Sequence, residues 1–249
     1  MGRLLKAEWY KLTKDRSFRF LTWMLLIAAV LAPLVEFDNG APGLPAVKDY
    51  YVESILGPHA NILKLIPSIL AGFFITSEYS MGTMKSMVSS GNNRISIYSA
   101  KLFVFSLGAI LLSLILPIIM TGTSAVYFGF ESMPEWSYYF QTIGLILLYA
   151  AAFASIMAVF SILFTDSGKT IGFLLMFFVF VDWPLQLLAV KVPSFEPVLS
   201  HSVFKLIYDI SIVNEVSSTD KLFLYGIPVL TFVLLWGIGV SIFMRKEIK

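Results

Sequence analysis

Residues 78–101, EYSMGTMKSMVSSGNNRISIYSAK, are the one sizeable polar, net-basic interruption between two apolar stretches of this chain. They read as a short helix, a turn and the start of a second helix. Thr83, after Gly82, offers a helix start, because a threonine hydroxyl accepts from exposed N–H groups. Met84, Met87 and Val88 share one face at i, i+3, i+4 spacing. Ser89-Ser90-Gly91-Asn92-Asn93 then breaks the helix with residues that tolerate turn geometry. Arg94 and Lys101 open the next apolar stretch. A small helix with methionine on one side suits docking against another protein, since methionine adapts to a partner's groove. The plainer expectation, and on physics alone the weightier one, is a charged connection that only orients the helices on either side.

Outside this stretch nearly everything of any length is apolar. Of 249 residues, 57% are hydrophobic and 14% charged, against roughly 25% charged in soluble domains. The composition therefore predicts an all-α polytopic membrane protein. No polar segment is long enough to bury a core of its own, so residues 1–249 read as a single transmembrane domain. Zero cysteines exclude disulfides and thiolate metal sites. The basic residues flank apolar stretches rather than forming a patch, which argues against nucleic-acid binding.

Residues 1–16 are basic and amphipathic, with Leu5, Trp9 and Leu12 on one face among Arg3, Lys6, Lys11, Lys14 and Arg16. This predicts either a helix lying in the headgroup plane or simply a positive flank. Six spans are expected at about 18–35, 60–76, 97–121, 138–164, 171–190 and 222–243. Glu36–Pro58 reads as a polar connection punctuated by Gly40, Pro42, Gly43, Pro45, Gly57 and Pro58. Pro67 predicts a kink; the apolar pattern of the third span persists, with gaps, to Phe130, and Pro117 with Thr121-Gly122-Thr123 predicts its end or a bend. Ala150, Ala154 and Ala158 line one face of the fourth span, as close helix packing requires. Val198–Val213 is too short and too polar to cross, and fits a re-entrant or interfacial hairpin. Thirteen of the 18 Lys and Arg fall on the side of the termini and of residues 78–101. The positive-inside rule places that side in the cytoplasm.

Chemistry is hard to find. His59 and His201 lie in no ligand pattern and read as plain interfacial residues. No nucleophile–base set is evident. Ser167-Gly168-Lys169-Thr170 echoes the end of a phosphate-binding loop, but Leu163 stands where its first glycine belongs and no strand precedes it, so the motif is rejected. Lys64 and Asp182 fall within or near spans. They either line a polar route or pair with each other, or they sit near the interface, with Lys64 snorkelling and the fifth span bending at Pro184. The interfacial reading is the preferred one.

Several of these residues carry a resemblance. Ala7-Glu8-Trp9-Tyr10-Lys11-Leu12 before the first span, Glu78-x-x-x-Gly82-Thr83 after the second, and Ser90-Gly91-x-x-Arg94 with Lys101 before the third resemble the membrane-spanning permease subunit of an ABC-2 type transporter. The resemblance implies an N-terminal elbow helix and a cytoplasmic coupling helix between spans 2 and 3. That coupling helix would run from about Gly82 to Ser90, drawing on Glu78, Gly82, Thr83, Met84, Met87, Ser90, Gly91 and Arg94. It further implies partly re-entrant outer helices before span 6. Lys64 and Asp182 become candidates for the translocation path. The chain itself would hold no cofactor: ATP and Mg would sit on a separate cytoplasmic ATPase subunit, two of each subunit per transporter. The compact layout is similar to members that export amphipathic or antimicrobial peptides from the cell across the plasma membrane. Other members move sodium or drugs. An ATP-independent carrier or channel is the rival, disfavoured by the scarcity of deep polar residues and of internal repeats.

Overall fold

The computed structural model describes residues 1–38 and 45–247. Gly40, Pro42, Gly43 and Lys249 lie outside the described residues. Within them there is no strand, as expected where each backbone N–H and C=O must be satisfied inside its own segment. In chain order come α1 (Gly2–Lys14), α2 (Arg16–Asp38), α3 (Val47–Ser80), α4 (Thr83–Ser89), α5 (Arg94–Phe128) and α6 (Trp136–Leu163). Next are α7 (Ser167–Phe180), α8 (Asp182–Lys191), the short α9 (Glu196–Ser200) and α10 (Val203–Leu206), and finally α11 (Ser218–Arg245). Among the described residues, five helices are long and apolar enough to cross a membrane, and six spans result if α7 and α8, bent by 41°, count as one.

Two boundaries differ from the sequence reading. α3 begins at Val47, not near Ala60, because Val47, Tyr50, Tyr51 and Ile55 form a buried helical stripe that outweighs Gly57 and Pro58. A π-helical turn at Tyr51–Leu56 runs into Pro58, whose nitrogen has no hydrogen to donate. α5 continues to Phe128 instead of ending near residue 121. A second π turn, Leu116–Met120, takes up Pro117, and the Thr121 hydroxyl donates to the Pro117 carbonyl at 2.6 Å. The break between α7 and α8 falls at Val181. Pro184 causes it: it cannot donate to Phe180 O, and its ring crowds that carbonyl.

α6 is the axis of the bundle. Ala150, Ala154 and Ala158 are buried along it, so neighbouring backbones approach closely. The Tyr149 hydroxyl donates to Leu224 O of α11 at 3.2 Å, and the Tyr51 and Thr142 hydroxyls meet at 2.7 Å. Two glycines serve close approach. A β-carbon at Gly72 would run into Ile171 of α7, and one at Gly239 of α11 would run into the Tyr98 ring. Most of α11 and α2 faces outward with apolar side chains such as Phe20, Trp23, Leu230 and Leu234, a surface suited to lipid or another apolar chain. Beyond α8, the short helices fold back, burying Val203, Leu206, Ile207, Ile210 and Val213.

Candidate functional site

α4 sits between two glycines with left-handed backbone, Gly82 (φ 70°) and Gly91 (φ 82°). Residues with a β-carbon rarely adopt this conformation, so both turns favour glycine. Thr83 is not the cap: Gly82 holds that position, and the Thr83 hydroxyl donates back to Glu78 O at 3.3 Å. The methionine face does not look outward. Met84 is 1% exposed, and Met87 and Val88 pack partly against the same core. The apolar cluster below this end of the bundle outcompetes solvent for them. α4 instead presents Lys85, Ser86 and Ser89. Ser90 and Gly91 are exposed at its end. Asn92 donates to Met87 O at 3.2 Å, while Asn93 caps α5 by accepting from Ile95 N at 2.8 Å.

Directly behind α4 lies a closed ring of four charges. Glu8 of α1 accepts from Lys11 on one oxygen and Lys101 of α5 on the other, each at 3.0 Å. Glu78, at the end of α3, accepts from Lys11 at 2.9 Å. Its second oxygen lies 2.8 Å from the Lys101 ammonium, a close ion contact outside hydrogen-bond geometry. Signs alternate around the ring, so its net charge is zero. Glu8 and Lys101 are each 2% exposed, whereas the Lys11 side chain keeps 40% exposure. The ammonium of Lys101 also lies 5.2 Å from the centre of the Phe74 ring. The buried face of α1 is thus Glu8 and Leu12, with Leu5 partly buried beside them; Trp9, expected on that face, points out. A buried charge is tolerable only when paired, so the ring fixes α1 against the junction of α3 and α5.

Burial opposes charge on Glu8, but Lys101 and Lys11 outweigh it and hold its carboxyl below the ordinary 4.5. Burial likewise opposes charge on Lys11, and Glu78 and Glu8 raise it above 10.5 regardless. A depressed carboxylate lends stability that is present above its unfolded pKa and lost as pH falls through the folded one. A raised lysine lends stability lost only as pH rises past 10.5. The thermal midpoint in detergent should therefore hold through neutral pH and drop once pH falls below about 4.5. A Glu8→Gln variant should lose part of that drop.

Arg94 turns out to be a clasp. Its guanidinium donates to Phe243 O, Met244 O and Lys246 O at 3.2, 3.0 and 2.8 Å, satisfying the free carbonyls at the end of α11. Lys246 in turn donates to Ile162 O at the end of α6 and lies 4.1 Å above the Tyr79 ring. Arg94→Ala should cost about 1–3 kcal/mol by stranding these carbonyls, read as a lower unfolding midpoint that Arg94→Lys only partly restores.

Midway along α3, Lys64 does not snorkel. It is 0% exposed, and its ammonium lies 2.7 Å from Asp182 Oδ2. It also donates to the Tyr208 hydroxyl at 3.0 Å, which donates on to Asp182 at 2.9 Å. The preferred interfacial reading was therefore mistaken about Lys64. Burial leaves it no route to water, and Asp182 is carried towards it at the α7–α8 bend. His59, read as interfacial, is buried with neither ring nitrogen partnered, while His201 bonds Pro197 O at 2.8 Å among the short helices. The phosphate-loop echo is the start of α7: the Asp166 side chain accepts from Lys169 N at 2.8 Å, occupying a backbone donor that a phosphate would need.

Glu8, Glu78 and Lys101 were each visible as parts of motifs, but not as partners, because 93 residues separate Glu8 from Lys101.

Compared with curated proteins, the chain has no match. Compared with protein families, residues 4–182 match the family described as ABC-2 family transporter protein. The match runs from the first turn of α1 through the charge ring, α4 and Arg94 to Asp182, just past the bend at Val181. It spans more than half of the chain, which therefore belongs to the ABC-2 transporter family, as a multi-pass membrane permease of an ABC transporter.

Proposed function

We propose that this chain is the transmembrane half of an ATP-driven exporter in the plasma (inner) membrane. In this reading its termini, the charge ring and α4 are cytoplasmic, α4 is the coupling helix, and a separate ATPase subunit binds ATP and Mg. The observation that carries the reading is the ring of Glu8, Lys11, Glu78 and Lys101. It binds the membrane-surface helix α1 to the ends of α3 and α5 from which α4 hangs. A push on α4 is then delivered to three elements at once, rather than to the two glycine turns alone. The bias of Lys and Arg to this end supports its cytoplasmic placement. The outward apolar faces of α2 and α11 support a second copy or a related chain beside lipid. An amphipathic or antimicrobial peptide is the proposed cargo, moved by alternating access around the bend at Val181.

The exposed face of α4 gives the test. With the partner ATPase reconstituted, Lys85→Glu together with Ser86→Trp should uncouple ATP hydrolysis from transport and leave the permease's unfolding midpoint unchanged. Transport that survives both substitutions at full rate rules α4 out as the coupling helix. Met84→Asp is expected to behave differently: it buries a charge and lowers the midpoint first.

A further inference from the structure

We propose that the cavity beside Asp182 binds an amphiphile bearing an anionic group, carboxylate or phosphate, on an apolar tail, and that this anion takes the place of Asp182 on Lys64. The proposal rests on the reading of Lys64 and Asp182 as part of the transport route. The cavity, open on one side, has a volume of about 290 Å³; Leu185, Leu199 and Phe204 give it apolar walls, and Asp182, Gln186, Lys205 and Tyr208 supply its polar groups. Few convergent polar groups on an apolar lining is the usual make-up of a small-ligand site.

The sign of the ligand follows from an asymmetry in burial. Lys64 is 0% exposed on α3, and Asp182 is its counter-ion. Asp182 stands one residue past the hinge and keeps 24% of its side chain exposed. If α8 swings about the hinge, the carboxylate can move into water, but the ammonium cannot. Stranding a buried ammonium is the costly event. A ligand that eases the swing must therefore bring negative charge to Lys64; positive charge brought to Asp182 would leave Lys64 stranded. Lys205, on the cavity wall, is a second cation placed to meet the incoming anion. Its pairing with Asp209 spans 3.8 Å and its own side chain is more than half exposed, so the pair is weak. The bond that Tyr208 donates to Asp182 can pass to the ligand without being lost.

The test uses the 249-residue chain in phosphatidylcholine nanodiscs, with binding of radiolabelled dodecyl phosphate competed by dodecanoate and by dodecylammonium. Both anions should compete, and dodecylammonium should be at least about tenfold weaker. Lys205→Gln should weaken dodecyl phosphate binding by about tenfold. The double variant Lys64→Met/Asp182→Leu leaves no buried charge unpaired, so it should stay folded and lose saturable binding. Repeating the titration with phosphatidylglycerol nanodiscs names the source. Competition by the lipid assigns the site to a headgroup, and undiminished binding assigns it to a soluble anionic amphiphile; both outcomes keep the site. Equal binding of dodecylammonium, or wild-type binding by both variants, overturns it. The assay contains no ATPase, so its failure is distinct from failure of the export reading, which shows in substrate-stimulated ATP hydrolysis.

Discussion

Lys101→Met should destabilise the chain by about 3–5 kcal/mol, the range for removing one partner of a buried ion pair. Methionine fills most of the space left by the lysine stem, so lost packing is a small part of the effect. What remains is Glu8 and Glu78, 2% and 5% exposed, sharing only the half-exposed Lys11. Two carboxylates in one site cannot both ionise cheaply. The second substitution should therefore repair much of the damage done by the first: Lys101→Met/Glu78→Gln restores a neutral set and should unfold well above Lys101→Met alone. Unfolding midpoints in mild detergent read both. If Lys101→Met melts with the wild type, the ring is not a structural clamp.

Asp182→Leu is expected to cost nearly as much, about 3–5 kcal/mol, for a related reason. It leaves the fully buried ammonium of Lys64 with a single hydroxyl, that of Tyr208, as partner. Lys64→Met should cost less, because the abandoned carboxylate is 24% exposed and can be hydrated. Lys64→Met/Asp182→Leu, apolar on both sides, should return close to wild type, as replaced buried pairs often do. The order Asp182→Leu, then Lys64→Met, then the double variant, from least to most stable, is what burial predicts. The reverse order of the two single variants would contradict it.

The sequence made the class of the protein legible and left its internal bonds hidden. Long apolar stretches identify membrane helices by composition alone, and Pro184 pointed to the bend that lies at Val181. Glycine and proline misled at Gly57-Pro58 and Pro117. Their local penalty is visible in sequence, whereas the π turns that absorb them depend on packing partners far along the chain. On α4 the methionine spacing was correct but its direction was not, since a helical stripe does not say whether it meets its own core or a partner. Trp9 on α1 was misplaced for a related reason. The periodic face counted apolar residues, while the buried face includes a carboxylate, Glu8, tolerated there only because Lys101 and Lys11 arrive from elsewhere. Lys64 and Asp182 lie 118 positions apart, so their pairing needed the fold.

The absence of native cysteine allows the most direct test of the account, which is that α4 is the contact with the ATPase. A cysteine placed at Ser86 and another, separately, at Val126, exposed near the opposite end of α5, would each carry a photo-crosslinker in cells that make the partner ATPase. The account predicts an ATPase adduct from position 86 and none from position 126. Adducts from 126 alone, or equal yields from both, would contradict it.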